Sequence, residues 1–191
     1  MTADPAATAD RVLDFLSTAG QSEYYGEEVS QLEHALQAAH NARLDGGTEQ
    51  EIIAALLHDL GHIWPVEGRQ TTSVGVVSHD RIGAEVLKEL GFSEDVADIV
   101  GGHVAAKRYL VATDRDYAAK LSDVSVDSLR RQGGPMSAEE LENFTSSPNW
   151  RSMVRVRTWE DNAKTPGVDV PGLEAYRQML TDHLSHQRKS N

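Results

Sequence analysis

The segment Leu56-Leu57-His58-Asp59-Leu60-Gly61-His62 sets an imidazole beside a carboxylate inside an otherwise apolar run. Burying either group without compensation is costly, so the pair calls for a partner that repays its desolvation, and a metal cation is the natural one. His34, His79 and His103 stand in three other segments that read as helical, which brings the set to as many as five nitrogen and oxygen donors. Neutral imidazole offers one lone pair, whereas a carboxylate has two oxygens and can bridge two ions. Asp59 is therefore the natural bridge of a dinuclear centre. His62, one turn after His58, could serve as a ligand or as a hydrogen-bond donor just outside the ligands, and the donor role is preferred. His40, His183 and His186 are read as surface or structural residues.

Composition narrows the chemistry. The sequence has no cysteine, so thiolate nucleophiles, iron-sulfur clusters, disulfides and sulfur-ligated zinc are excluded together. With 18 Lys and Arg against 30 Asp and Glu, the formal charge of -12 disfavours nucleic acid and anionic membrane surfaces as partners. It leaves room for a small anionic substrate in a locally basic pocket. There is no apolar run long enough for a transmembrane helix, and the first residues show no basic-then-apolar leader, so a cytoplasmic location is expected.

Positioning these donors requires helices. Apolar spacing predicts helices over about 7–19 and from near Val29 to Leu44, and a third from a Thr48/Glu51 capping box through Leu60. Residues 65–77 read as a loop over one end of the bundle, with "VGVV" at 74–77 too short to build a sheet. Further helices are expected from His79 to Leu90, from Ser93 toward His103, over about 115–131, 138–144 and 150–160, and through Leu173 to Leu180. The expectation is an all-α helical bundle, a single domain over 1–191 with a frayed polar tail from about 183. Ser125, Ser128 and Gln132 recur at helical spacing and would put two hydroxyls and an amide on one face. Taken alone, that face, Lys107 and Arg157 read as solvated polar positions.

Several longer strings carry a resemblance: "YYGE" at 24–27, "QLEHALQAA" at 31–39, "AALLHDLGH" at 54–62, "GFSE" at 91–94, "GHVAAKRYL" at 102–110, "QGGPM" at 132–136 and "VPGLEAYRQM" at 170–179. With them the chain resembles the mixed-valence diiron oxygenases of the HD superfamily, which cleave carbon-phosphorus bonds. That resemblance implies an HD-domain helical bundle holding an Fe(II)/Fe(III) pair, with O2 as cosubstrate. His34, His58, Asp59, His79 and His103 match the iron ligands, Asp59 bridging. The last ligand is a carboxylate of the segment Trp159-Glu160-Asp161; direct register favours Glu160, and retention of the shorter side chain favours Asp161.

The resemblance also implies a substrate pocket. Lys107, Ser125, Ser128, Gln132 and Arg157 match residues that bind a phosphonate, and Glu27 matches one that recognises a cationic nitrogen. Tyr24 matches a mobile tyrosine that guards one iron, and catalytic roles fall to Asp59, His62 and Tyr24. Tyr25, Trp64 and Tyr109 are aromatics that could line the amine end, and divergence over 63–78 reads as a changed amine pocket. The implied substrate is 2-amino-1-hydroxyethylphosphonate, giving glycine and phosphate, or its trimethylammonio counterpart, giving glycine betaine and phosphate. A hydroxylase that installs the C1 hydroxyl would act beforehand. Two competing readings are an HD-domain phosphohydrolase activating water between two metal ions and a noncatalytic metal-binding module.

Overall fold

The computed structural model describes residues 4–24, 27–68, 70–72 and 75–190. The first three helices are α1 (Pro5–Ala19), α2 (Gln31–Leu44) and α3 (Glu49–Leu57). Their starts follow local chemistry: Asp4 caps α1, and capping boxes of Ser30 with Glu33 and Thr48 with Glu51 open α2 and α3. The chain continues through α4 (Leu60–Ile63), β1 (Thr71–Thr72), β2 (Gly75–Val76), α5 (His79–Glu89), α6 (Glu94–Thr113), α7 (Arg115–Lys120), α8 (Asp123–Arg131), α9 (Ala138–Ser146), α10 (Trp150–Asp161) and α11 (Glu174–Ser190). The all-α expectation holds, with one correction among the described residues: within the stretch 65–77 expected to be loop, Gly75–Val76 of the string "VGVV" pairs antiparallel with Thr71–Thr72 through backbone hydrogen bonds, a two-stranded hairpin.

Helix α6 packs against α3, α5 and α10, while α2 lies across α3 and α10 and α1 pairs with α11. The main core is built from these helices, and Leu56, Leu57 and Leu60 sit at its centre, each at most 1% exposed. Burial on that scale stabilises the fold by about 2 kcal/mol per side chain. A second cluster gathers Ala106, Phe144 and Met153 from α6, α9 and α10, flanked by Tyr109 and Trp150.

Four local features depart from expectation. The helix anticipated from 48 through Leu60 stops at Leu57, and Asp59, at φ -100° and ψ 12°, turns the chain before α4. The helix anticipated over 115–131 is divided into α7 and α8, because extended Leu121 is followed by Ser122, which caps α8 by accepting from Ser125 N–H. Helix α6 runs ten residues beyond His103. The tail expected to fray is helical over the described residues: α11 continues to Ser190, and His183 is buried against Phe92, accepting from Ser93 N–H at 3.2 Å. Tyr176, Leu180, His183 and Leu184 form a buried helical stripe inside a largely polar sequence.

Candidate active site

Four elements deliver the five donors: α2 supplies His34, the turn between α3 and α4 supplies His58 and Asp59, the first residue of α5 is His79, and mid-α6 supplies His103. Each imidazole is tied at Nδ1 to a backbone carbonyl. The partners are Ala163 for His34 at 2.9 Å, Ala55 for His58 at 2.8 Å, Val76 for His79 at 3.2 Å and Val100 for His103 at 2.7 Å. Because a carbonyl only accepts, Nδ1 carries the hydrogen and each Nε2 lone pair is turned inward.

Those Nε2 atoms converge in two pairs, His34 with His58 at 3.0 Å and His79 with His103 at 3.0 Å. Asp59 lies between them. Its Oδ2 is 3.4 Å from His58 Nε2 and 3.8 Å from His34 Nε2, while Oδ1 is 3.4 Å from His79 Nε2 and 3.7 Å from His103 Nε2. Adjacent residues of a regular helix point about 100° apart. The break after Leu57 is what lets His58 and Asp59 face one centre.

The electrostatics call for positive charge. Burial, followed by repulsion from His58, lowers His34 to about 3, and the same two causes lower His103 to about 4. Burial acts downward on His58 as well, yet Asp59 and Glu160 together raise it to about 9, so without a cation its inward Nε2 holds a proton, which a metal ion would displace to use the lone pair. Asp59 is pushed down by surrounding imidazoles, His58 foremost, against a desolvation that would raise it.

Glu160 and Asp161 occupy different environments. Glu160 is 2% exposed and holds Oε2 3.5 Å from His58 Nε2. Asp161 faces away from the imidazoles: Tyr117 donates to its Oδ2 at 2.6 Å and Arg157 grips the same carboxylate through Nε and Nη2. Asp59 Oδ2 and Glu160 Oε2 are buried without a hydrogen-bond partner among the described residues. Orphaned anionic oxygens next to four inward-turned lone pairs fit bound cations. The donor set is wholly nitrogen and oxygen, which suits iron.

His62 also approaches Asp59, with Nε2 3.7 Å from Oδ1, and its ring stacks on His79 at 3.8 Å. Distance alone would group it with Asp59 and His79 as a chelating triad. The hydrogen bonding argues otherwise, since Val76 N–H donates to His62 Nδ1 at 3.1 Å and places the imidazole hydrogen on Nε2. His103, with the opposite tautomer, is the better-suited donor on that side. Two backbone features hold this end of the site. A Cβ at Gly61 would stand 2.0 Å from the His79 carbonyl oxygen, so only glycine permits α4 and α5 to approach so closely. Ser78, at φ 56°, is left-handed and turns the hairpin sharply into His79.

A polar cleft opens beside the histidines, lined in part by Lys107, Ser125, Ser128, Gln132 and Arg157. Lys107 is 3% exposed, donates to Ser128 Oγ at 2.7 Å, and is lowered to about 7 by burial and then by Arg157. Arg157 is also buried and is paired with Glu160 and Asp161. Gln132 Oε1 is buried and has no hydrogen-bond partner among the described residues. At the far side, Tyr24 stacks on His34 at 3.9 Å, and Glu27 accepts from Ser122 Oγ at 3.1 Å. Burial and the Asp59 charge push the Tyr24 phenol well up.

Comparison with known proteins adds the family. Residues 31–139 match the HD domain model. The chain belongs to the HD-domain family. It is 41% identical over 169 residues to the [1-hydroxy-2-(trimethylamino)ethyl]phosphonate dioxygenase (glycine-betaine-forming) of Leisingera caerulea, covering 84% of this chain and 82% of that protein. It is 37% identical over 184 residues to the hydroxymethylphosphonate dioxygenase of Gimesia maris, covering 95% and 90%. An uncharacterized protein, L432, of Acanthamoeba polyphaga mimivirus is 35% identical over 176 residues, covering 91% and 80%. This HD-domain protein is thus related to phosphonate dioxygenases.

Within this HD-domain protein, the aromatics expected at the amine end are placed elsewhere. Trp64 packs on Phe15 at 4.7 Å beneath Arg11, in the core, and Tyr109 joins Phe144 and Trp150 in the second cluster. Tyr25 lies outside the described residues. Sequence reasoning missed Tyr117, Ser122 and Lys164, whose partners Arg157, Asp161 and Glu27 lie 40 to 137 positions away along the chain. A spacing rule within one helix carries no signal for them.

Proposed function

We propose that this chain is a mixed-valence diiron oxygenase that uses O2 to cleave the C-P bond of a 1-hydroxyphosphonate. The observation that carries the reading is Asp59, whose two oxygens are divided between two imidazole pairs beside a cleft lined by cationic and hydroxyl groups. His34, His58 and Glu160 would hold one iron and His79 with His103 the other, Asp59 serving both. When bound, the metal pair supplies electrons to O2 and Lewis acidity to the substrate's C1 hydroxyl.

The remaining work falls to side chains of the cleft. Lys107 and Arg157 supply charged donors and Ser125, Ser128 and Gln132 neutral ones, which suits three phosphonate oxygens. His62 would hold a proton at Nε2 toward Asp59 Oδ1, and Tyr24 would cover the His34 side until substrate enters. Glu27 faces the far end of the substrate. The atoms balance with a single O2: the hydroxyphosphonate and O2 become a carboxylic acid and phosphate, and no further reductant is consumed. Glycine betaine would arise from 1-hydroxy-2-(trimethylammonio)ethylphosphonate and glycine from 2-amino-1-hydroxyethylphosphonate. Either substrate presupposes an earlier hydroxylation at C1.

An anaerobic single-turnover experiment on iron-loaded protein tests the reading. Phosphate detected by phosphorus NMR only after O2 is admitted, together with the carboxylic acid that matches the hydroxyphosphonate supplied, is the expected result. Phosphate released without O2 would overturn it in favour of hydrolysis. Full metal loading with no turnover of hydroxyphosphonates or phosphoesters would overturn it in favour of a noncatalytic module.

A further inference from the structure

Lys164 follows α10 and lines the same cleft as Lys107. Its Nζ lies 3.0 Å from Glu27 Oε1 and 3.4 Å from Ser125 Oγ, and stands 5.8 Å from the centre of the Tyr24 ring. Both members of the Lys164–Glu27 pair are 17% exposed, so the contact is only weakly screened by solvent. The acid facing the substrate's far end therefore already has an ammonium partner, supplied by the chain itself. A substrate carrying its own cationic nitrogen must compete with that partner for Glu27. A substrate with an uncharged far end does not.

Resting on the reading of this cleft as a hydroxyphosphonate site, we propose that Lys164 is a specificity-determining residue. By occupying Glu27 it favours hydroxyphosphonates whose far end is uncharged over those bearing a quaternary ammonium. Its proximity to Ser125 gives the displaced ammonium a second position, next to the phosphonate cradle. A cationic substrate thus exchanges one ion pair for another, whereas a neutral one leaves Lys164 and Glu27 joined.

The test is anaerobic calorimetric titration of iron-loaded protein with two probes, hydroxymethylphosphonate and 1-hydroxy-2-(trimethylammonio)ethylphosphonate. Lys164→Gln is expected to tighten the cationic probe relative to the neutral one by about fivefold, the scale of one lost competing ion pair. In a Glu27→Gln background the same substitution should leave the ratio unmoved, because Lys164 acts through Glu27. Lys164→Met carries the same comparison should the glutamine variant fail to fold. A ratio that is unchanged or reversed in the single variant, or that shifts equally without Glu27, overturns the proposal. Wild-type protein that binds neither probe overturns the hydroxyphosphonate reading and this inference with it; binding of both with an unmoved ratio overturns this inference alone.

Discussion

The phenol of Tyr117 donates a 2.6 Å hydrogen bond to Asp161, and that bond turns the Asp161 carboxylate toward Arg157 and away from the histidines. Adjacent carboxylates at the end of α10 are thereby separated in role: Glu160 gives Oε1 to Arg157 but directs Oε2 to His58, whereas both Asp161 oxygens are taken by Arg157 and Tyr117. Tyr117→Phe and Asp161→Asn are expected to weaken phosphonate binding by about tenfold while leaving iron content at the wild-type level. Glu160→Gln should lower iron content instead. Metal analysis alongside titration with hydroxymethylphosphonate separates the two, and iron loss in Asp161→Asn would reverse the assignment.

In the proposed diiron centre, Asp59→Asn would replace the anionic bridge by a neutral amide with a single acceptor oxygen. Iron per chain should fall below two, and oxygen-dependent phosphate release should drop by more than about a hundredfold. Far-UV circular dichroism should stay helical, because the surrounding leucines remain buried. Undiminished turnover would refute the bridging role.

His62 and His103 make a sharper pair. His62 receives a backbone N–H at Nδ1, and His103 directs Nδ1 to a carbonyl, so the two rings expose opposite faces of the same chemistry to Asp59. His103→Ala is expected to lose iron. His62→Ala is expected to retain it and lose turnover, and measured metal content that falls equally in both would contradict this distinction.

The pH dependence of anion binding should follow Lys107. Burial and Arg157, helped by Lys164, lower it to about 7 despite the opposing pull of Glu160 and Asp161. In the free protein it is therefore charged below about pH 7 and neutral above. Phosphonate affinity should weaken as pH rises through 7, and binding at pH 8 should take up a proton, visible as a dependence of titration enthalpy on buffer. For stability the sign is opposite. An unfolded lysine keeps its proton to about 10.4, so the unfolded state binds more protons between roughly pH 7 and that value, and this residue makes the fold more stable as pH rises across that window. Lys107→Met should flatten both profiles.

Gly61→Ala would force a Cβ to within 2.0 Å of the His79 carbonyl and 2.8 Å of Gly83 N, both backbone atoms that cannot swing aside. A loss of about 3 kcal/mol is expected, read as a lower melting temperature. Iron content should fall with it, since α5 cannot shift without carrying His79. Wild-type melting and iron content would show that the two helices can part harmlessly.

What could be read from the sequence was what local chemistry decides. The Thr48/Glu51 box announces α3, and an imidazole-carboxylate pair among leucines announces a centre needing cations, because both signals sit within a few residues. The aromatics misled for a physical reason: Trp64 and Tyr109 bury more surface in a core than at a polar cleft, and packing takes them there. The break at Asp59 was hidden by an unbroken apolar pattern on either side. Lys164 with Glu27 and Tyr117 with Asp161 are pairings across the bundle, and no periodicity within one helix encodes them.

The hairpin residue Val76 offers its N–H to His62 and its carbonyl to His79. A single amino acid in an unremarkable connecting segment therefore dictates which of two stacked rings lends electrons and which carries hydrogen. Val76→Pro, which deletes the N–H and keeps the carbonyl, would free His62 to adopt the other tautomer while His79 stays as it is. Reactivity here would be written into the peptide chain itself, through the N–H and carbonyl of Val76 and not through its side chain.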